Sequence, residues 1–203
     1  MTVSAIRQSS PGRLTVCFED GSEIKSTLAV VTDLRLYSGL ELDEGRAGEL
    51  RELSRRALAR ERALEYVSRR PMSQAELRKK LISKGEDEAV ADYCVQWLGD
   101  NGFLNDEDYS RRVARHYAAK GYGQGRVRAE LRRRGLDREL WDEAVEAMPD
   151  GSERLDKLVA ARLKDPEDRE QVAKLCQYLY RRGFDWDDVR AALNRYNAEC
   201  EDE

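Results

Sequence analysis

Histidine and cysteine, the side chains that most often build catalytic and metal sites, are scarce in this chain of 203 residues, which has one histidine and four cysteines. A single histidine, His116, leaves a histidine-dependent triad or a multi-histidine metal centre without components. The cysteines are scattered, with no CxxC pair, which argues against a zinc site and a disulfide framework. We expect four reduced thiols that mostly pack: Cys17, Cys94, Cys176 and Cys200.

Long apolar runs are also missing. No stretch of about 18 apolar residues exists, and the opening MTVSAIRQSSPGR lacks the apolar core of a secretory signal. The sequence therefore predicts a cytoplasmic protein with no membrane partner.

Charged residues are abundant and unevenly distributed. They make up 37% of the chain, against 40% hydrophobic and 7% aromatic residues, a mixture typical of amphipathic helices. The net charge of −4 conceals two basic blocks: residues 69–84 carry six basic and one acidic group, and residues 109–138 carry ten and two. Residues 85–108 carry no basic and eight acidic groups. A polyanionic partner is thus compatible with an acidic protein.

One pattern is written three times along the chain. Each copy has apolar residues eight and four positions before a glycine, a basic residue just before that glycine, and another apolar residue ten positions after it. The glycines lie 50 and 48 residues apart, a spacing found in helical repeat arrays. The apolar pairs and their glycines are Leu77, Leu81 and Gly85; Val127, Leu131 and Gly135; Leu175, Leu179 and Gly183.

This pattern predicts the end of a helix at each glycine. Apolar residues four apart share a helix face, glycine accepts the positive φ of a helix C-terminus, and a cation there favours the helix dipole. Asn105, Asp137 and Asp185 are predicted to cap the helices that follow. Each repeat should then contain about three short helices.

The predicted fold is mainly α: an elongated tandem array of three three-helix repeats with a small N-terminal β-containing segment. The alternating stretch RLTVCFEDGSEIKSTL predicts a hairpin with a type I′ turn at Asp20–Gly21, and LRLYSGLEL a further short strand. The predicted divisions are a hairpin-like segment at 1–50, then repeats at 54–104, 105–149 and 150–203.

Two basic helices are the candidate functional surface. If Val127 and Leu131 face the core, most arginines of RVRAELRRRG should project outward, where guanidinium suits phosphate or carboxylate groups. The alternative is an ordinary solvated helix face. The candidate surface comprises Arg69, Arg70, Arg78, Lys79 and Lys80 in the first repeat, Arg126, Arg128, Arg132, Arg133 and Arg134 in the second, and Tyr122 in the glycine connector between helices.

Other motifs have simpler interpretations. GYGQG at 121–125 lacks the glycine at 126 that a phosphate loop of the GxGxxG type requires, so a flexible connector is favoured. The acids at 106–108 fit the first turn of a helix. We therefore expect no cofactor and no enzymatic activity. The recurring aromatics, which include Phe103, Tyr109 and Tyr180, are interpreted as packing between helices.

Four ordered blocks resemble the RecX family of regulatory proteins: YVSRRPMSQAELRKKLISKG, WLGDNGFLNDEDYSRR, GYGQGRVRAELRRRGLD and LYRRGFDWDDVRAAL. The resemblance covers residues 60–196. It implies three tandem three-helix repeats in a bacterial, non-enzymatic protein that binds the RecA–DNA filament and mostly inhibits it, in DNA repair and SOS control. A monomer is the expected state. The alternative is a sequence-tolerant DNA-binding repeat protein that competes for DNA.

Overall fold

The computed structural model describes the backbone of residues 1–201 and the side chains of residues 1–198, so the Cys200 side chain lies outside the described residues. Three strands, β1 Val3–Ser10, β2 Arg13–Phe18 and β3 Glu23–Thr27, form an antiparallel sheet in the order β1-β2-β3. The helices that follow are α1 Leu28–Asp33, α2 Glu44–Arg69, α3 Gln74–Ser83, α4 Glu88–Asp100, α5 Asp106–Ala119, α6 Gln124–Arg133, α7 Glu139–Glu146, α8 Ser152–Ala160, α9 Arg169–Arg181 and α10 Trp186–Glu201.

This architecture confirms the predicted fold class of a mainly helical protein with three tandem three-helix repeats and a small N-terminal sheet. The chain divides into two compact units. The first comprises residues 1–72 and 76–104, and the second comprises residues 73–75 and 105 onward. Among the described residues, no helix has the length and apolar character needed to cross a lipid bilayer.

In the first unit, α2 has two apolar surfaces. Its N-terminal half, with Ala47 and Leu50, packs against the sheet in one core, and its C-terminal half, with Ala59 and Ala63, packs against α3 and α4 in another. The Arg13–Glu61 ion pair, 2.9 Å, also ties β2 to α2. Position 54, the predicted start of the first repeat, therefore lies inside this 26-residue helix.

Two details of the N-terminal segment differ from prediction. The β2–β3 hairpin exists, but its turn is not type I′, because that turn requires positive φ at both central residues. Gly21 has φ +80°, whereas Asp20 has no positive φ. The stretch at 34–42 forms no strand. It lies against the N-terminus through a bridge between Thr2 and Glu41 and through backbone hydrogen bonds, among them Val3 N–H to the Leu40 carbonyl at 2.9 Å.

In the second unit, α5–α7 and α8–α10 each enclose a core of their own. Val127 and Leu131 are fully buried against α5 and α7, and Leu175 and Leu179 are buried with α8 and α10. The apolar pairs that precede the repeated glycines are therefore core residues, as predicted. The proposed divisions at 50, 54, 105 and 150 stay predictions.

The three repeated glycines end their helices in the same way. Each has positive φ, +93° at Gly85, +70° at Gly135 and +88° at Gly183. The amide of the residue after each glycine donates to the carbonyl of the leucine four positions before the glycine, at 3.2 Å in all three repeats. This is the Schellman arrangement, in which backbone amides beyond the end of a helix, not side chains, donate to its last carbonyls.

Candidate functional site

The basic residues of the first unit are largely neutralised by neighbouring carboxylates. Arg69 pairs with Glu65, and an Arg70 nitrogen lies 3.8 Å from a Glu76 oxygen. Arg78 on α3 reaches across to α4, with 2.6 Å to Asp92 and 2.8 Å to Glu88. The hydrogen bonds to Asp92 and then Glu88 raise the pKa of the Arg78 guanidinium, and the two carboxylates compensate its charge locally.

The two lysines of this surface behave differently from its arginines. The Lys80 ammonium lies 4.2 Å from the centre of the Tyr66 ring, a cation–π contact that holds it against the protein. Lys79 is exposed and, among the described residues, forms no ion pair. Of the five predicted residues in this block, Lys79 thus has the charge most available to a partner.

On α6, Glu130 is buried and takes up the charge of two arginines. Its side chain is 4% exposed and accepts from Arg133 at 2.6 and 2.8 Å and from Arg134 at 2.8 Å. The hydrogen bond from Arg133 is the largest cause that lowers the pKa of Glu130 to about 2, against the opposing effect of burial. Arg134 also contacts the Tyr109 hydroxyl and is only 18% exposed. The prediction that the arginines of this helix mostly face outward is therefore wrong for Arg134.

The sequence reasoning missed an ion pair that occurs twice at equivalent positions. Arg128 lies seven residues before Gly135, and it contacts Asp142, seven residues after that glycine, at 3.2 Å. Arg78 and Asp92 occupy the same offsets from Gly85. Aligning the repeats on their glycines and comparing opposite charges would have found the pair. In the third repeat these offsets hold Cys176 and Arg190, so the pair is missing there.

Two arginines of α6 keep their charge uncompensated. Arg126 and Arg132 are exposed, and within the part of the chain that the structure describes neither forms an ion pair. They lie on the side of the helix opposite the buried Val127 and Leu131. Among the described residues, Arg126 and Arg132 are therefore the arginines of α6 whose charge no carboxylate offsets.

Tyr122 is half-buried, with its ring centre 5.4 Å from that of Tyr117 and 4.9 Å from the Arg182 guanidinium carbon. The connector around it, which the sequence predicts to be flexible, is held by backbone hydrogen bonds. The amides of Gly123 and Gly125 donate to the carbonyls of Arg182 and Gly183, at 3.0 and 2.9 Å. The connector is thereby fixed to the end of α9 within the second unit.

The remaining polar motifs have local partners. His116 is exposed on α5 and contacts Tyr117 edge-on. Glu107 and Asp108 pair with arginines one turn later, and Asp106 accepts the Gln74 amide at 2.9 Å. Among the described residues, no three histidine, cysteine or acidic side chains come together as a possible metal site.

The cysteines and aromatics follow their predicted roles only in part. Cys17 and Cys94 are buried free thiols, and burial raises the pKa of Cys94 to about 11, which leaves it protonated at neutral pH. Tyr109 is buried, but Phe103 and Tyr180 are 54% and 77% exposed. Phe103 nevertheless stacks on Trp97 of α4, with ring centres 6.0 Å apart, so the interpretation of the aromatics as helix packing is wrong for Tyr180.

Comparisons with known proteins agree along the helical part of the chain. Family models described as the first, second and third three-helix domains of RecX match residues 59–98, 105–145 and 152–193. "Regulatory protein RecX" of Xanthomonas axonopodis pv. citri (strain 306) is 36% identical over 142 residues, which is 68% of this chain and 87% of that protein. The Vibrio cholerae protein of the same name, from serotype O1 Classical Ogawa 395, is 34% identical over 68% of this chain and 92% of its own length.

Solved structures show the same fold. A crystal structure of regulatory protein RecX superimposes with a TM-score of 0.75 at 24% identity, over 95% of this chain and 98% of the other. RecX from Lactobacillus salivarius gives a TM-score of 0.62 at 20% identity, over 71% and 97% of the two chains. Sequence models and curated relatives cover the three helical repeats in order, and the chain accordingly belongs to the RecX family of regulatory proteins.

Proposed function

We propose that this protein binds the RecA–DNA filament and modulates it in DNA repair and SOS control, mostly by inhibiting ATP hydrolysis, filament extension and strand exchange. The observation that carries the proposal is the ordered match of three RecX domains along residues 59–193. The proposed action needs no covalent chemistry.

The distribution of charge supports a partner that contains both nucleic acid and protein. Arg126 and Arg132 present uncompensated guanidinium groups, which suit phosphates or acidic protein edges. Residues 139–203 carry ten basic and eighteen acidic groups, so the net charge of this part suits a protein surface and any DNA contact within it depends on a local cluster of cations. A protein that contacts several protomers of one filament gains avidity, because later contacts form at high effective concentration.

The experiment is a titration of the protein into RecA from the same organism, with single-stranded DNA and ATP, at two salt concentrations. The readout is the rate of ATP hydrolysis. Inhibition at well below one copy per RecA protomer supports binding to the groove or the end of a filament. An unchanged hydrolysis rate at one copy per protomer contradicts the proposal.

A second candidate function is sequence-tolerant DNA binding that competes with RecA for DNA. The basic blocks at 69–84 and 109–138 favour it. If this function dominates, inhibition requires enough protein to cover the DNA and falls steeply with salt. Excess single-stranded DNA then relieves it, whereas inhibition through filament contacts persists.

A further inference from the structure

Five side chains of the second unit form a continuous row in which arginine and tyrosine alternate. The Arg182 guanidinium carbon lies 4.9 Å from the centre of the Tyr122 ring and 5.3 Å from that of Tyr178. Arg126 extends the row beyond Tyr122 at 5.9 Å, and Arg162 extends it beyond Tyr178 at 4.0 Å. We call this set Arg126, Tyr122, Arg182, Tyr178 and Arg162 the Arg–Tyr row.

Within the described side chains, no acidic group pairs with Arg126, Arg162 or Arg182. The Arg182 guanidinium donates instead to the carbonyl oxygens of Lys120 and Gly121, at 3.3 and 2.9 Å. Among the described residues, seven of the thirteen other arginines of the second unit form ion pairs with acidic groups, as Arg112 does with Asp108 and Arg190 with Asp187.

An additional cation lies beside the row. The Arg154 side chain comes close to Gly121, the same residue that Arg182 contacts, and donates to the Ala118 carbonyl. Several positive charges held together without counter-charges repel one another and lower stability, an arrangement that proteins usually keep for functional sites. The repulsion is relieved when an anion binds.

Stacking prepares these guanidinium groups for phosphate. An arginine laid over an aromatic face has its planar fork oriented by the ring, and the N–H donors at its edge stay available for two parallel bonds to a phosphate. Arg126 and Arg162, at the two ends of the row, are exposed, and both tyrosines are half-buried. The row thus offers ordered donors at its ends and ring edges between them.

We propose that the Arg–Tyr row binds the sugar–phosphate backbone of single-stranded DNA without reading its sequence. The proposal rests on the proposed function, because it names the surface through which this protein contacts the DNA of the filament. A single strand is favoured over a duplex because its unpaired bases can meet the edges of the tyrosine rings, whose faces the arginines already cover, whereas paired bases cannot. It is favoured over an acidic protein because guanidinium groups in a row match the repeated phosphates of one strand.

The test measures binding of the protein alone to a fluorescent oligothymidylate of about 20 nucleotides, by anisotropy, across a series of salt concentrations. The double variant R126Q/R162Q removes both exposed cations of the row. The matched control R112Q/R190Q removes two exposed arginines of the same unit that already have acidic partners, with the same change in net charge.

The expected result is a selective loss in the row variant. Each lost phosphate contact makes the slope of log affinity against log salt less negative by about 0.7, so the row variant should differ from the parent by about 1.4 and the control by almost nothing. Equal slopes for the two variants, or no binding by the parent protein at low salt, overturn the proposal. Equal competition by polyglutamate and oligothymidylate overturns it as well, in favour of an acidic protein partner.

Substitutions of Tyr178 provide a second test, because they leave the net charge of the protein unchanged. Tyr178→Phe keeps the ring and should bind as the parent does, whereas Tyr178→Leu removes the surface that orders Arg162 and should bind several-fold more weakly. Thermal melting of both variants checks that the fold is kept. Equal binding by two folded variants contradicts a role for the ring.

The binding test uses no RecA, so its failure is separate from failure of the proposed function. If the row variant loses DNA binding and the parent inhibits RecA, both proposals stand. If the parent inhibits RecA but the row does not bind DNA, only the inference about the row fails. If the parent binds DNA through the row and leaves RecA unaffected, only the proposed function fails.

Discussion

The amide of Gly125 donates a hydrogen bond of 2.9 Å to the carbonyl of Gly183, and this contact fixes the start of α6 to the end of α9. Gly123 strengthens it with a second bond, to the Arg182 carbonyl. A Cβ atom on Gly123 would overlap the backbone of Gly183, and one on Gly183 would overlap the backbone of Arg126. The two segments approach this closely only because both are glycine.

A related contact is formed elsewhere in the second unit. Ser73, which lies twelve residues before Gly85 just as Gly123 lies twelve before Gly135, donates its hydroxyl to the Arg134 carbonyl at 2.6 Å. A Cβ on Gly135 would come within 2.6 Å of the Ala75 Cβ. The glycine that ends each of these helices is therefore also a docking point for another segment.

Gly183→Ala should destabilise the protein more than Gly85→Ala. Both glycines have φ near +90°, which costs an alanine about 1–2 kcal/mol. Space around Gly85 is open, whereas a Cβ at Gly183 meets the backbone of Arg126, which adds about 1–3 kcal/mol. Urea unfolding of the two variants measures the difference. Equal losses would show that the contact at Gly183 relaxes without cost.

Glu130→Gln should remove stability that depends on pH. Because Arg133 and Arg134 hold the pKa of Glu130 at about 2, below its ordinary value of 4.5, the charged form stabilises the fold by about 3 kcal/mol above pH 4.5. That contribution disappears as the pH falls from 4.5 to 2. At pH 7 the free energy of unfolding of the variant should therefore be well below that of the parent. At pH 2.5 the two values should be close.

The control for this prediction is Glu170→Gln. Glu170 pairs with Lys174 one turn away, but its side chain is 77% exposed, so its removal should change stability by less than about 0.5 kcal/mol at either pH. A loss at Glu130 no larger than the loss at Glu170 would contradict a stabilising role for the buried carboxylate.

Leu131→Ala should loosen the second repeat. Leu131 is fully buried in the core formed by α5, α6 and α7, and truncation of such a leucine costs about 2–5 kcal/mol. The neighbouring Arg132→Ala, at an exposed position, should cost within about 0.5 kcal/mol. Thermal melting distinguishes them, and a similar fall in melting temperature for both would place Leu131 outside the core.

Inhibition of RecA should depend on the uncompensated arginines of α6 more than on the paired ones. R126Q/R132Q removes two free charges, whereas R128Q/R133Q removes two that Asp142 and Glu130 already offset. The concentration needed for half-inhibition of DNA-dependent ATP hydrolysis should rise several-fold for the first variant and little for the second. Identical shifts would mean that total charge, not its local compensation, determines binding.

Helix ends could be predicted from sequence because short-range chemistry determines them. Asn105 and Asp185 accept the amides of Asp108 and Asp188 as predicted. Asp137 does not cap α7. That helix begins at Glu139, and its N-cap residue, Arg138, makes no side-chain cap hydrogen bond. The hairpin at Asp20–Gly21 was likewise predicted correctly, although its turn type was not.

The helical repeats with their buried leucines and terminal glycines can be predicted from the sequence alone, because these features depend on backbone conformation and on residues within about one or two helical turns. Which cations have an acidic partner, by contrast, depends on how the helices pack. Arg128 finds Asp142 on another helix, Arg182 reaches Tyr122 across a gap of 60 positions, and Arg126 finds no carboxylate among the described residues. Charge compensation acts between side chains that packing brings together, and a count of charges along the chain contains no information about that packing.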